Sequence, residues 1–535
     1  MKTLVYITLS LNSALLYSSD KFKLPSPETQ KNIIIGLRDE IIRLDGEGLT
    51  ARKDRPESFV ETTDELSNEA LKNKNQYDFY NSFLKLGSTY TNIHSYTIFP
   101  EEITNSVGIP WNYHLSHYLF VKRNGDKNEV VLDYVRKGKE KENISIGDRL
   151  VAINDKPISL WLEENFLFCK YPLRRQCDLK FEENLLKLNL SWKLEKPLIY
   201  SFKNKLGQIN KLEVTFFRVT SKPNPLRSRC DYNWEKKYPD FELKFTGFHL
   251  CYLEKKNDPS IAIVRISSFL YDRTRFEALN YNQMIDEVMD FKKLWDKKHH
   301  QVNELIFDLI DNRGGHSPLP YYSLFFQNEF QEQYIKYKKT PELEDEELRS
   351  AMIWKKTAHE LAILEYITSD LWQEIEYGEF LPQMSLFCKD PYSPCTSEEA
   401  YKPMGISFNG NIHIMLNENC ISSCDAFVWN FKNNTNAKLY GFPNASDSSS
   451  ARLRIDVTSN EYSPSGYDIT VSPQYKRIPK NLIVAQVIAP AQTTDRYGKL
   501  LNGIPEELEI EVPHKSGEYY SKTVLETLMN EVIRN

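Results

Sequence analysis

The sequence predicts an α/β fold in which a mostly parallel sheet is covered by helices. Residues 411–441 show the pattern strand, loop, helix, strand, because a β-branched apolar run precedes apolar residues at helical spacing and a second apolar run. A second buried strand, at 305–310, leads directly into the turn Asp311-Asn-Arg-Gly-Gly315. Between 261 and 298 a strand is again followed by a helical stretch. Strands that alternate with helices are typical of parallel sheets, which bind ligands at the carboxyl ends of their strands.

The length and composition are those of a globular protein with several domains. The 535 residues carry a formal net charge of −6 and no concentrated basic stripe, so no nucleic-acid partner is expected. Residues 1–19 have a positive start, an apolar middle and small residues at the end, which predicts a signal peptide; the alternative is a buried first strand or helix. No later stretch has the roughly 18 continuous apolar residues of a membrane span, so none is expected in the mature chain.

The eight cysteines favour an oxidising compartment. Three pairs lie close in sequence: Cys169 and Cys177, Cys388 and Cys395, and Cys420 and Cys424. Cys230 and Cys251 are left over. An even count with local spacing fits disulfides in a secreted or periplasmic protein. Zinc binding is the rival interpretation, although the spacings are uneven, and free buried thiols are a third. For Cys420 and Cys424, a disulfide and two packed thiols both remain open.

The first part of the chain is predicted to contain a helical region and a β unit. Residues 20–98 form the helical region, because apolar residues keep helical spacing over 28–45 and 61–86. Residues 99–222 form the next unit, and its stretch Ile146-Gly-Asp-Arg-Leu-Val-Ala-Ile-Asn-Asp-Lys-Pro-Ile158 resembles the hairpin of PDZ domains. A long insertion, which contains Cys169 and Cys177, interrupts the PDZ-like pattern. A peptide could add as a strand to the edge of such a unit.

The rest of the chain, residues 240–535, is assigned to the α/β domain. Residues 331–380 interrupt it with a stretch that is dense in charged and aromatic residues, which predicts a helical insertion. This insertion either covers the cleft or is a solvated decoration without a part in substrate choice.

Ser422 and Ser423 precede the predicted helix of the 411–441 segment. Serine is a preferred N-cap, because its oxygen accepts a hydrogen bond from a free N–H of the first helical turn. The same free N–H groups and the helix dipole also stabilise a developing anion. Because the glycines at 314 and 315 follow a neighbouring strand, the two loops together could form an oxyanion hole. The serines are therefore either caps or part of a catalytic site.

Three short motifs resemble those of the tail-specific (C-terminal processing) serine proteases. Asp308-Leu-Ile-Asp-Asn-Arg-Gly-Gly315 is similar to that family's Asp-Leu-Arg-x-Asn-x-Gly-Gly signature, and Ser422-Ser-Cys-Asp425 is similar to its nucleophile loop. Gly441-Phe-Pro443 matches its Gly-Glu-Pro. The resemblance implies a ClpP/crotonase-like catalytic core, preceded by the PDZ-like β domain and the N-terminal helical region. It also implies Ser422 as the nucleophile, with the oxyanion hole formed by Gly314, Gly315 and the amide of Ser423.

The resemblance fails at the family's common general base. A lysine is expected a few residues beyond Gly-Glu-Pro, whereas residues 444–451 contain none, so either Ser-Lys chemistry is excluded or the enzyme is inactive. The tricorn-core-like branch of the family uses a histidine from the N-terminal side, in a context to which Ile93-His-Ser-Tyr96 is similar. His94 is therefore predicted to be the base, since the pKa of histidine lies near working pH. His316 is the alternative base. The structural explanation of His94 is a histidine that is hydrogen-bonded inside a strand and has no catalytic role.

A Ser-His pair also needs an acid that orients the imidazole. The resemblance implies a glutamate just before a Tyr-Gly pair, and Asp495-Arg-Tyr-Gly498 offers the aspartate Asp495 instead. Glu506 and Glu507 are the alternatives. The sequence thus predicts a serine endopeptidase that needs no cofactor or metal and acts on exported or unfolded protein substrates. The rival hypothesis is a non-catalytic peptide- or ligand-binding protein on a protease scaffold.

Overall fold

The structure is a computed structural model that describes most of the chain. The described residues are 23–46, 59–90, 92–100, 113–115, 117–124, 127–135, 143–167, 169–181, 198–214, 216–218, 234–270, 277–298, 301–315, 317–326, 333–353, 367–382, 384–385, 408–446, 452–474, 476–515 and 518–530. The signal peptide predicted at 1–19 and the alternative base His316 lie outside them. Within this part of the chain, no helix is both long and apolar enough to cross a bilayer.

The elements are numbered here in chain order. The helices are α1 (Pro27–Leu44), α2 (Phe59–Ala70), α3 (Gln76–Thr89), α4 (Ile158–Leu167), α5 (Arg174–Leu179), α6 (Trp234–Lys237), α7 (Glu277–Lys298), α8 (Leu319–Phe325), α9 (Pro341–Ile353), α10 (Asp370–Glu374), α11 (Ser423–Asn434) and α12 (Tyr520–Leu528). The first strands are β1 (Thr97–Ile98), β2 (Tyr113–Leu115), β3 (His117–Asn124), β4 (Lys127–Val135), β5 (Arg149–Ile153), β6 (Lys156–Pro157), β7 (Leu198–Lys203), β8 (Ile209–Val214), β9 (Phe216–Arg218), β10 (Phe241–Thr246) and β11 (Leu250–Lys255). The later strands are β12 (Asp258–Ile266), β13 (Glu304–Asp308), β14 (Tyr334–Tyr337), β15 (Met384–Ser385), β16 (Asn411–Leu416), β17 (Lys438–Gly441), β18 (Leu453–Ser459), β19 (Tyr467–Pro473), β20 (Leu482–Ile488), β21 (Ala491–Thr494) and β22 (Ile510–Glu511).

A seven-stranded sheet forms the centre of the predicted α/β domain. Its order is β10-β11-β12-β13-β16-β17-β22, and the pairings from β12 to β22 are parallel, whereas β10-β11-β12 are antiparallel. The α/β fold with a mostly parallel sheet is therefore confirmed. β13 is buried along most of its length because α7, α8 and α11 cover one face with aromatic side chains. The ring of Phe307 lies 4.9 Å from that of Phe431 on α11, edge to face.

A second, four-stranded sheet joins the two ends of the chain. Its order is β1-β20-β18-β19, and β1 pairs with β20 through Thr97 opposite Gln486 and Ile98 opposite Ala485. The three N-terminal helices pack on this sheet, and their buried apolar residues form one core with those of β18 and β20. The strand that follows His94 is thereby fixed to the C-terminal half of the molecule.

The strands predicted for the PDZ-like unit lie together in a third sheet. Its order is β3-β4-β5-β7-β8, with β6 paired to β5, and α4 packs against it around Trp161 and Leu162. Asn154 and Asp155 form the tight turn between β5 and β6 with φ of 48° and 62°, the left-handed values that Asn and Asp tolerate. The hairpin is therefore present as predicted, while its assignment to the PDZ class stays a prediction.

The insertion predicted as helical also contains a strand. Residues 331–380 include α9 and α10, but β14 pairs antiparallel with β15 and β21. Ile335 and Tyr337 are the more buried residues of β14, a period of two that the charge-rich composition conceals. Both side chains belong to a small core with Leu343, Ile367 and Trp372.

Candidate active site

Ser422 lies at a strained turn between β16 and α11. Its backbone has φ 61° and ψ −125°, which is unusual for a residue with a side chain and differs from the extended conformation typical of an N-cap serine. Such strain costs about 1–3 kcal/mol and is concentrated at functional sites. A sharp strand-to-helix turn of this kind presents the nucleophilic serine in α/β-hydrolases. Ser422 therefore occupies the N-cap position in a conformation suited to a nucleophile.

A disulfide closes this loop. Cys420 and Cys424 are bonded with an S–S distance of 2.04 Å and a Cα–Cα distance of 5.1 Å. The disulfide alternative is thus confirmed, and the alternative of two packed thiols is wrong. Cys169 and Cys177 are also bonded, and Cys251 is disulfide-bonded to a partner outside the described residues. Zinc binding by these cysteines is therefore wrong, because their sulfurs are consumed in disulfides.

The Gly-Gly turn packs directly against the Ser422 loop. Gly314 has a φ of +78°, and a Cβ added to it would lie 2.4 Å from the carbonyl oxygen of Ile421 and 2.8 Å from Cβ of Ser422. Ser423 Oγ donates a hydrogen bond of 2.8 Å to the carbonyl oxygen of Gly315. Only glycine allows this close approach, so the turn after β13 and the turn after β16 form one site. The two loops that the sequence predicted to meet do so.

The amides predicted to form the oxyanion hole have different surroundings. Gly314 N–H donates a hydrogen bond of 2.9 Å to Asn312 Oδ1, within its own turn. Ser423 is the first residue of α11, where an amide has no partner within the helix. Gly314, Gly315 and Ser423 as the oxyanion-hole residues stay predictions, and Gly314 also packs closely against the Ser422 loop.

Asp311 and two asparagines hold the Gly-Gly turn against the loop after β16. Asp311 Oδ1 accepts hydrogen bonds of 2.9 Å from Asn417 Nδ2 and from Asn419 Nδ2, and Asp311 N–H donates 3.0 Å to Asn417 Oδ1. Burial raises the pKa of Asp311, but the asparagine hydrogen bonds, with Arg265 and Lys237, outweigh it and leave this pKa below its ordinary value. No separate pattern in the sequence indicated these two asparagines, because their partner Asp311 is 106 and 108 positions away.

Asp308, at the end of β13, is fully buried beneath this turn. Its Oδ2 accepts hydrogen bonds from Arg265 and from the hydroxyl of Tyr238, and its Oδ1 accepts 2.9 Å from Ile310 N–H. Burial of an unpaired carboxylate would be strongly unfavourable, so Arg265 is a required partner. The first aspartate of the family-like motif therefore stabilises the turn from below.

Asp425 organises the other side of the nucleophile loop. Its buried carboxylate accepts hydrogen bonds of 3.0 Å from Ser422 N–H, 2.7 Å from Asn444 Nδ2 and 3.0 Å from Ser446 N–H. Asp425 occupies the acidic position of the family-like nucleophile loop. It fixes the Ser422 backbone and ties it to the segment after β17, where the lysine of the common mechanism is missing.

His94 lies in a turn immediately before β1. The turn is closed by hydrogen bonds of 2.9 Å from His94 N–H to Asn92 Oδ1 and 2.8 Å from Ser95 Oγ to the Asn92 carbonyl oxygen. Lys170 Nζ donates to the carbonyl oxygen of Ser95, so the turn also contacts the disulfide-bonded segment that begins at Cys169. His94 as the general base stays a prediction.

The structure describes all three acids that were predicted as the third member of the triad. Asp495 Oδ1 accepts hydrogen bonds of 2.8 Å from Tyr497 N–H and 2.9 Å from Lys499 N–H, so this oxygen serves its own turn. Glu506 Oε2 lies 3.1 Å from Lys432 Nζ and lines a cavity together with Asp425. The carbonyl oxygen of Glu507 accepts 2.9 Å from Lys432. All three acids stay predictions.

The fold and the two adjoining turns define an α/β protein with the architecture of a peptidase. Residues 260–490 match the sequence model of Peptidase family S41, so the resemblance to the tail-specific proteases is confirmed and this region is that of a hydrolase of the peptidase class. A comparison with curated proteins finds no match.

Two solved structures of similar fold cover almost all of the chain. One, described as the crystal structure of mature CPAF, has a TM-score of 0.61 at 11% sequence identity and covers 95% of this chain and 96% of that one. The other, mature CPAF complexed with lactacystin, has a TM-score of 0.60 at 12% identity and covers 94% and 97%. At such low identities the likeness concerns the fold alone.

Proposed function

We propose that this protein is a serine endopeptidase in which Ser422 is the nucleophile and His94 is the general base. Ser422 Oγ attacks the peptide carbonyl while His94 accepts the hydroxyl proton. His94 then gives this proton to the leaving amine, and water releases the acyl group by the reverse sequence. Amides near Gly314, Gly315 and Ser423 stabilise the oxyanion. Asp495, Glu506 or Glu507 orients the imidazole.

The observation that carries this proposal is the strained backbone of Ser422 and its close contact with Gly314. Ser422 has a strained backbone at the N-terminus of α11, its loop is closed by the Cys420–Cys424 disulfide, and the Gly-Gly turn contacts it. An unstrained serine would cap the helix at lower energy, so capping alone does not explain this strain. The disulfides also support action outside the cytoplasm. We therefore propose a secreted or periplasmic enzyme that cleaves exported or unfolded proteins, with a PDZ-like unit that binds peptide.

Cleavage of unfolded casein and labelling by a fluorophosphonate probe test the proposal. The wild-type protein should hydrolyse casein and become labelled, and Ser422→Ala should do neither. A structure of CPAF is described as its complex with lactacystin, so preincubation with lactacystin is expected to slow the labelling of this protein as well. If the mature protein, without the predicted signal peptide, neither cleaves casein nor becomes labelled, the enzyme assignment is rejected.

A non-catalytic binding protein on a protease scaffold is the second candidate. Two observations favour it: Gly314 N–H is already hydrogen-bonded to Asn312, and Asp495 Oδ1 already caps its own turn. This candidate predicts that the protein binds unfolded casein without cleaving it. Equilibrium binding of fluorescent casein, measured beside the cleavage assay, separates the two functions. Binding without cleavage supports the second candidate, and binding with cleavage supports the first.

A further inference from the structure

A short disulfide-closed segment contacts the loops of both proposed catalytic residues. This bridging segment, residues 169–181, is closed by Cys169–Cys177 with a Cα–Cα distance of 5.6 Å and contains α5. Its residues Gln176 and Lys180 are 0% and 7% exposed, although both are polar. Buried polar side chains require partners, and their partners identify what the segment does.

Gln176 connects the bridging segment to the Ser422 loop. Its Nε2 donates hydrogen bonds of 3.1 Å to the carbonyl oxygen of Pro443 and 2.5 Å to that of Asn444. Asn444 Nδ2 donates 2.7 Å to Asp425 Oδ1, and Asp425 Oδ2 accepts 3.0 Å from Ser422 N–H. A continuous chain of hydrogen bonds therefore runs from Gln176 to the backbone of the proposed nucleophile.

Lys180 makes a second connection to the same site. Its Nζ donates to Asn419 Oδ1 and lies 3.5 Å from the Glu418 carboxylate. Asn419 Nδ2 donates 2.9 Å to Asp311 Oδ1, in the turn that carries the two glycines. Lys180 thus contacts the loop before Ser422 and, through one side chain, the Gly-Gly turn.

Lys170 connects the other end of the bridging segment to the His94 turn. Its Nζ donates to the carbonyl oxygen of Ser95, the residue after His94. Lys170 directly follows Cys169, and Gln176 directly precedes Cys177, so the disulfide joins the two points of contact. A break in this disulfide would leave the two points of contact joined only through the backbone of residues 170–176, so the separation between them would be less fixed.

We propose that the bridging segment is a positioning element that holds the His94 turn and the Ser422 loop at a fixed separation. This inference rests on the proposed function, because the separation matters only if the two residues react together. A general base must lie within hydrogen-bond reach of its nucleophile, and a displacement of about 1 Å can lower the rate by about 100-fold. Lys170 and Gln176 act through the backbones of Ser95, Pro443 and Asn444, so both are positioning residues.

Hydrogen–deuterium exchange and kinetics of single variants test this inference. Lys170→Met and Gln176→Met remove one polar group each; the second keeps the length of the side chain and the first shortens it by one atom. Arg174→Met is the matched control, because Arg174 lies on the same helix as Gln176 and contacts the exposed Glu163 and the ring of Phe166, which belong to neither loop. The double variant Cys169→Ser/Cys177→Ser opens the disulfide itself.

The proposal predicts different exchange in the two loops. Lys170→Met should accelerate exchange in peptides that cover 92–98, Gln176→Met in those that cover 418–425, and the cysteine double variant in both. In casein hydrolysis, kcat should fall by about 10-fold to 100-fold with KM within about twofold. Arg174→Met should leave both measurements unchanged.

Exchange rates distinguish failure of this inference from failure of the proposed function. If both loops exchange in Lys170→Met and Gln176→Met as in Arg174→Met, the positioning role is wrong, whether or not the protein cleaves casein. If exchange rises as expected but kcat stays within about twofold of the control, the segment holds the loops without serving catalysis and the inference is overturned. If the wild-type protein neither cleaves nor is labelled, the proposed function fails and this inference fails with it.

Discussion

Replacement of Gly314 by alanine should disable the site while leaving most of the fold intact. The new Cβ would lie 2.4 Å from the Ile421 carbonyl oxygen and 2.8 Å from Ser422 Cβ. Because ordinary contact begins at 3.4 Å, the Ser422 loop would have to move by 3.4 − 2.4, about 1 Å. A displacement of this size at a reacting group costs about 100-fold in rate, or about 2.7 kcal/mol of transition-state stabilisation.

Gly466→Ala is the matched control for Gly314→Ala. Gly466 has a φ of +72°, close to the +78° of Gly314, but within the described residues no heavy atom lies within 4 Å of its added Cβ. Both variants carry the left-handed penalty of about 1–2 kcal/mol in stability. Only Gly314→Ala should also lose activity.

The assay is the rate of fluorophosphonate labelling, compared with the free energy of unfolding from urea denaturation. The labelling rate of Gly314→Ala should fall by about 100-fold, whereas Gly466→Ala should keep the wild-type rate. If Gly314→Ala is labelled at the wild-type rate, the loop does not depend on this contact. Equal losses in both variants would show that backbone strain alone, and not contact with Ser422, is responsible.

Three further changes have defined outcomes. Asp425→Asn should slow labelling by about tenfold or more, because an amide in place of the carboxylate loses an acceptor for the Ser422 and Asn444 donors; a wild-type rate would refute this role. Cys420→Ser/Cys424→Ser should lower casein turnover more than thermal stability, since a loop this short contributes only about 2 kcal/mol of chain entropy; unchanged turnover would reject rigidity as its role. Asp178→Asn should stabilise the protein at neutral pH. Burial raises the pKa of Asp178 from 3.8 to about 6, so the wild-type protein loses stability as pH rises from about 4 to 6, and the full loss of about 3 kcal/mol persists above that range. Urea denaturation at pH 4 and pH 7.5 should show that the stability of the wild-type protein relative to that of Asp178→Asn falls by about this amount, since other groups contribute equally to both proteins.

The elements nearest to the site could be predicted from the sequence because their signals are local. The run at 411–416 and the helical spacing after Ser422 correspond to β16 and α11, and the buried strand before Asp311 corresponds to β13. Each pattern lies within about 30 residues, so tertiary contacts did not need to be known. The pairing of glycines with a serine loop followed from their positions at the ends of neighbouring parallel strands.

The contacts that join distant parts of the chain could not be predicted. β1 pairs with β20 across almost 390 positions, and no local pattern specifies that partner. The same holds for Gln176, whose buried amide contacts residues more than 260 positions away, although the adjacent Cys177 marked the segment as constrained. The strand β14 was missed because its period of two covers only four residues within a charged stretch.

The site of covalent labelling tests the central claim most directly. After reaction with a fluorophosphonate, tandem mass spectrometry of the peptide that spans 418–425 can separate an adduct on Ser422 from one on the adjacent Ser423. The proposed mechanism predicts phosphonylation of Ser422, since Ser423 Oγ donates its hydrogen to Gly315 and its amide serves the oxyanion. An adduct on Ser423, or labelling of the Ser422→Ala protein at the wild-type rate, would contradict it.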